Sequence, residues 1–122
     1  MKFYECKTCG NIIILLEDSK VVPVCCQEVM SEIIPSTKDG AKEKHVPVVI
    51  RKDNEITVQV GEIVHPMEMD HYIKWIVLET DKGKYIHYLE PGQEPVTKFC
   101  ICDSEKVIAV YEYCSVHSLW VN

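Results

Sequence analysis

The chain opens with Cys6-Lys7-Thr8-Cys9-Gly10 and follows with Pro23-Val24-Cys25-Cys26, which places four thiols in its first 26 residues. A Cys-x-x-Cys pair lets two thiolates grip one ion from a tight turn, with Gly10 able to supply the positive φ that such a knuckle needs. Cys25 and Cys26 complete a four-sulfur set suited to Zn²⁺ or to a single iron. Neighbouring side chains on a strand point to opposite faces, so this adjacent pair must sit on a bend. A structural zinc staple and a redox iron are both open readings of the four residues. A thioredoxin-like redox pair is disfavoured, because no βαβ pattern surrounds the motif.

A second set of residues lies further along. Of the five histidines, His45, His65, His71 and His117 fall in local patterns: Glu43-Lys44-His45, His65-Pro66-Met67-Glu68-Met69-Asp70-His71, and Cys114-Ser115-Val116-His117. Each pattern sits at the edge of a predicted strand, where side chains from different loops can converge. Several nitrogen ligands with one thiolate suit iron or another mid-row metal better than structural zinc, which closes at four ligands. His87 has no motif around it and reads as structural or surface. Cys100 and Cys102 share a face of a predicted strand and are expected to be buried as small hydrophobes. A disulfide between them would be strained.

The elements that position these residues are mainly β. Ile56-Val60 alternates apolar and polar residues, and Tyr72-Leu78 is β-branched and aromatic. Further runs at Lys84-Leu89, Val96-Ile101, Lys106-Tyr113, His45-Arg51 and Glu62-Val64 bring the count to about seven short strands. Turn-forming segments separate several of them, and the pattern reads as an antiparallel β-sandwich of immunoglobulin-like type. The cysteine-rich segment is too small to be stable by its core alone and needs a metal staple. Pro35-Gly40 is rich in turn formers and reads as the linker. We therefore expect a metal-stapled ribbon over residues 1–35 and a sandwich over 36–122.

Composition narrows the function. The chain is 47% apolar and 26% charged, with a net charge of −6, which gives no electrostatic footprint for nucleic acid or anionic membranes. The longest apolar run, Ile12-Leu16, is far too short to span a bilayer. The start lacks the apolar core of a signal peptide, so a cytoplasmic location is expected. Seven cysteines in a reducing compartment point to metal or redox chemistry rather than a disulfide framework.

The three motifs in order, with Trp75 after His71 and Leu119-Trp120 after His117, resemble superoxide reductase. The four-cysteine segment ahead of them resembles the desulforedoxin-type domain of the two-iron members, the desulfoferrodoxins. The resemblance implies an oxidoreductase that reduces superoxide to hydrogen peroxide without releasing oxygen. It further implies two iron ions per chain. One is held by Cys6, Cys9, Cys25 and Cys26, where zinc is the alternative ion. The other is held by four equatorial imidazoles, His45, His65, His71 and His117, with Cys114 axial and a sixth position open. By the same resemblance Lys44 steers the anion and supports the developing peroxide, and Glu43 is the sixth ligand of the oxidised iron. A rubredoxin-like electron donor and a homodimer are implied as well. Two positions depart from the family, which usually has Asn where this chain has Ser115 and Gly where it has Ser118. The competing readings are a non-catalytic electron-transfer or metal-binding iron protein, and a sandwich with a zinc staple and no redox role.

Overall fold

A computed structural model describes residues 1–37 and 44–122. The chain divides into two compact units, Met1–Ile34 and Pro35–Asn122. The described residues form strands, turns and bends, and no helix among them is long and apolar enough to cross a membrane.

The first unit has five short strands: β1 (Phe3–Glu5), β2 (Ile12–Ile14), β3 (Val24–Cys25), β4 (Glu28–Val29) and β5 (Ser31–Ile33). They form an antiparallel sheet of order β2-β1-β5 and a separate β3-β4 hairpin. Tyr4, Cys6 and Met30 make a small buried cluster, with Ile13, Leu15 and Cys25 against it. A core of this size supplies little of the burial that a free-standing fold needs.

The second unit is an antiparallel sandwich built from seven strands. These are β6 (Pro47–Lys52), β7 (Glu55–Val60), β8 (Ile73–Thr80), β9 (Lys84–Tyr88), β10 (Val96–Cys100), β11 (Val107–Cys114) and β12 (Ser118–Val121). One sheet runs β10-β7-β6 and the other β12-β11-β8-β9. This is an immunoglobulin-like order in which the fourth strand, β9, pairs with the sheet of β8. Strand β7 alternates strictly, turning Ile56, Val58 and Val60 inward with no exposure. They meet Ile73, Ile76, Leu78 and Val110 from the other sheet in one core cluster. Full burial of each such side chain contributes about 1.5–3 kcal/mol.

Strict alternation along β8 from Leu78 and Ile76 would turn Lys74 inward. The pairing with β11 shifts between Tyr113 and Cys114, so that Tyr113 faces Trp75 while Cys114 faces Ile73. That bulge puts Ile73 in the core and leaves Lys74 exposed, its ammonium 6.0 Å from the centre of the Tyr113 ring. Bulges re-aim side chains next to functional sites in this way.

Two expectations are corrected. Glu62–Val64 is a turn and not a strand; it follows Gly61, which has φ 79°, and it leaves Ile63 and Val64 exposed. The seventh strand is instead β12, which begins directly after His117. Cys100 and Cys102 are exposed, not buried, because Ile101 takes the inward position as the chain leaves β10. Ser36, at the start of the expected linker, donates its N–H to Leu119 O at 2.9 Å and accepts from the Val121 N–H at 3.0 Å. Lys38–Gly40 of that linker lie outside the described residues.

Candidate metal centres

In the first unit the sulfurs of Cys6, Cys9, Cys25 and Cys26 lie within 4.8 Å of one another. The turn after Cys6 is closed by Gly10 N–H donating to Cys6 O and by Cys6 N–H donating to Asn11 O, both at 2.9 Å. Gly10 has φ 78°, a conformation that glycine adopts at no steric cost. The bend required of the adjacent pair is a two-residue turn between β3 and β4. Its central residues, Cys26 (φ 51°) and Gln27 (φ 64°), are both left-handed, as in the primed hairpin turns whose twist matches the strands.

Sulfur separations are 3.6 Å for Cys9 to Cys25 and 4.0 Å for Cys25 to Cys26. A disulfide would need about 2.05 Å, whereas a tetrahedron of metal–sulfur bonds near 2.3 Å has edges of about 3.8 Å. The residues therefore fit one tetrahedral ion. The Cys6 thiol is drawn down to about 7, chiefly by the Cys9 backbone N–H, while hydrogen bonding to Cys9 pushes Cys26 up to about 12.

In the second unit the donors of His45, His65, His71, His117 and Cys114 also lie within 4.8 Å of one another. They come from loops and a strand end at one end of the sandwich. His45 precedes β6, His65 and His71 lie between β7 and β8, and Cys114 and His117 flank the turn from β11 to β12. The antiparallel pairing of β6, β8, β11 and β12 with their neighbours brings these strand ends together, the arrangement by which a rigid sandwich presents functional loops.

The four imidazoles close a ring of neighbours. Centroid distances are 4.8 Å for His45–His65, 4.7 Å for His65–His71, 4.9 Å for His71–His117 and 4.7 Å for His45–His117. Successive planes are steeply inclined, at 65° to 84°. The Cys114 sulfur is fully buried, 3.5 Å from His65 Nε2 and 3.7 Å from His117 Nδ1. His117 is exposed and His71 half-buried, so the imidazole side of the cluster reaches the surface and the sulfur side does not.

Neighbouring groups fix these donors. His65 Nδ1–H donates to Pro66 O at 2.6 Å, which turns Nε2 toward the cluster, the device that usually sets the tautomer of a ligating histidine. The Trp120 ring stacks on His45 with centroids 4.5 Å apart and planes 13° apart, and its Nε1–H donates to His117 O at 3.1 Å. Ser115 Oγ accepts the Tyr72 N–H at 3.0 Å. Trp120 and Ser115 were legible only as neighbours of the ligand motifs; their positioning contacts depend on the β11–β12 turn.

Burial pushes His65 down to about 4 and also lowers His71, to which the Lys44 charge contributes. Burial raises the Cys114 thiol, and the N–H groups of Val116 and His117 oppose that rise. His71 Nε2 is buried with no hydrogen-bond partner, a costly state for a polar atom unless it serves an ion. His45 Nε2 and His117 Nδ1 are 2.9 Å apart, close to the edge of about 3.0 Å that two adjacent nitrogens take around an ion with bonds near 2.1 Å. Five donors, four nitrogen and one sulfur, exceed a tetrahedral zinc set and fit a mid-row metal such as iron. Lys44 is exposed beside His45. Glu43 lies outside the described residues. His87 is exposed on β9, away from both clusters.

The desulfoferrodoxin family model matches residues 37–122. The desulfoferrodoxin of Desulfarculus baarsii is 43% identical over 120 residues, covering 98% of this chain and 94% of that one. The desulfoferrodoxin of Nitratidesulfovibrio vulgaris is 44% identical over 119 residues, with coverage of 98% and 93%. Among solved structures, the superoxide reductase from Treponema pallidum superposes with a TM-score of 0.85 at 30% identity, covering 99% of this chain and 96% of that one.

Proposed function

The chain belongs to the desulfoferrodoxin family, and from that premise we propose that it reduces superoxide to hydrogen peroxide at the cluster of His45, His65, His71, His117 and Cys114. Ferrous iron bound there would supply the single electron and an open position for the anion, which also takes up two protons to become peroxide. The observation that carries this reading is the five-donor cluster itself, with its one buried thiol and the unpartnered Nε2 of His71.

The chain's own residues set the chemistry around the metal. Burial holds His65 and His71 neutral near pH 7, so both offer lone pairs and cancel none of the cation's charge. The Cys114 thiolate, fully buried, would remove one unit of a bound cation's charge. The backbone N–H groups of Val116 and His117, directed at the sulfur, temper its donation. Because Cys114 is fully buried and His117 exposed, a small anion approaches from the side opposite the sulfur. Lys44 is exposed and its charge acts on His71, so its ammonium would attract superoxide and stabilise charge developing on the second oxygen. Glu43 is the carboxylate that would serve as a further ligand to a bound iron once it is oxidised.

Cys6, Cys9, Cys25 and Cys26 would hold a second ion, iron with zinc as the alternative, which would staple the first unit and, as iron, supply a site for one electron. A small rubredoxin-like carrier restores the reduced state, and the active protein is read as a cytoplasmic homodimer. Mixing reduced holoprotein with superoxide tests the reading: stoichiometric oxidation of the five-donor centre with peroxide formed and no oxygen released is expected. Reactivity that survives His65→Ala combined with His71→Ala overturns it.

A further inference from the structure

Two of the seven cysteines belong to neither metal cluster. Cys100 and Cys102 are both exposed, on either side of Ile101, which is buried. Cys100 ends β10, and the ladder runs one residue further, since Ile101 N–H donates to Asn54 O at 2.8 Å. Alternate residues of such an extended chain face the same way, about 6.6 Å apart from Cα to Cα. The pair therefore presents two thiols side by side to solvent, at the end of the edge strand β10.

The backbone on both sides is held. Cys100 pairs with Glu55 on β7. Cys102 opens a turn in which Glu105 N–H donates to Cys102 O at 2.9 Å and Cys102 N–H donates to Glu105 Oε2 at 3.2 Å. Glu105 is itself buried, its carboxylate accepting from Thr80 Oγ1 and from Tyr85 OH. Arg51 donates to Glu105 O at 2.7 Å and to Asp103 O at 3.2 Å. Rotation about each Cα–Cβ bond is the motion left to bring the sulfurs together. A disulfide needs them about 2.05 Å apart, with Cα atoms most often about 5.5–6 Å apart, which pulls against this anchored backbone. A two-coordinate ion with metal–sulfur bonds near 2.3 Å holds its sulfurs about 4.6 Å apart, a span closer to the separation of the two residues.

We propose that Cys100 and Cys102 form a third metal site, a two-thiolate clasp for one soft cation of the Cu(I) class. Thiolates select soft ions of this kind. Among the described residues no further histidine, cysteine or carboxylate completes a larger donor group with the pair, so zinc and iron, which take four or more donors, are poorly served here. Binding joins the ion to both sulfurs and sends two thiol protons to solvent, with no change of oxidation state. The site stands apart from the superoxide-reducing reading and from both clusters described above.

The test uses the iron-loaded holoprotein under anaerobic conditions, with Cu(I) supplied as its coloured bicinchoninate complex. The parent is expected to take one Cu(I) per chain from the chelator, seen as lost colour and as one added copper in native mass spectrometry, with iron content unchanged. Cys100→Ser and Cys102→Ser should each weaken that binding at least about a hundredfold, the advantage of two joined donors over one, and the double variant should be no worse than either single. Both side chains are exposed, so the serine variants keep their fold, which the unchanged absorption of the iron clusters checks. Zinc at the same concentration should leave both thiols open to a thiol reagent, whereas Cu(I) should block both. Copper uptake that survives in both single variants, uptake matched by iron release in the parent, or protection by zinc as complete as by Cu(I) overturns the proposal.

Discussion

Ser115 Oγ accepts the Tyr72 backbone N–H at 3.0 Å, and the Ser115 N–H returns a bond to Tyr72 O at 2.9 Å. Tyr72 follows His71 and Ser115 follows Cys114, so this pair of bonds locks one imidazole donor to the thiol donor. Ser115→Ala keeps the backbone bond but leaves the Tyr72 N–H without its acceptor. A loss of about 1 kcal/mol in stability is expected, together with a shift in the visible absorption of the iron-loaded protein as Cys114 and His71 loosen relative to each other. Thermal denaturation and the spectrum check both; an unchanged spectrum would show that the bond only stabilises the loop.

Ser118 has φ 65°, a left-handed backbone that a side chain makes costly by about 1–2 kcal/mol. Ser118→Gly relieves that cost, less the roughly 0.5–1 kcal/mol of extra entropy that glycine loses on folding. A net gain of up to about 1 kcal/mol is expected, which raises the Tm by a few degrees. Ser118→Val should lower it. Calorimetry on the metal-loaded pair decides, and a glycine variant less stable than its parent refutes the strain.

The same position marks where sequence reading stops. Cys-x-x-Cys, His-x5-His and Cys-x-x-His are legible because a ligand is identified by side-chain chemistry and spacing, and β7 is legible because its alternation is strict. The left-handed φ of Ser118 has no side-chain signature, since serine does not mark that conformation as glycine or asparagine does. Strand β12 has four residues and is hidden behind the ligand turn, whereas Glu62–Val64 has strand-like residues and is a turn. Cys100 and Cys102 share a face as expected, but the inward side at that point belongs to Ile101. The bulge beneath Cys114 and the stack of Trp120 on His45 follow from pairing between distant segments, which no local pattern encodes.

Trp120 touches two of the four imidazole residues, through its ring to His45 and through Nε1–H to the His117 carbonyl. Trp120→Phe retains an aromatic stack and loses the hydrogen bond; Trp120→Leu loses both. Metal affinity at the five-donor centre is expected to fall about tenfold in Trp120→Leu, with Trp120→Phe between it and the parent. Competition with a chelator of known affinity measures this. A fall in Tm with unchanged metal affinity would assign Trp120 to core packing alone.

The four-cysteine site makes a prediction in pH. Its metal-free thiols are not equivalent: Cys6 is held near 7 by backbone N–H groups, while Cys25 is raised and Cys26 stands near 12 through hydrogen bonding with the other thiols. Metal binds the thiolates, so protons must leave Cys25 and Cys26 as it enters. The sign follows directly. Lowering the pH favours the protonated, metal-free form, so apparent affinity rises from pH 6 to pH 8, and zinc added to the apoprotein in weak buffer releases protons. Chelator extraction should accordingly be faster at pH 6. Cys9→Ser removes the sulfur 3.6 Å from Cys25 and should abolish this metal and its proton release. The first unit should then unfold, because its buried apolar cluster of Tyr4, Cys6 and Met30 is too small to hold it. The sandwich has its own core and its own five donors, so oxidation of its centre by superoxide should persist in Cys9→Ser. Loss of that reactivity with the sandwich still folded would show that the two clusters act as one.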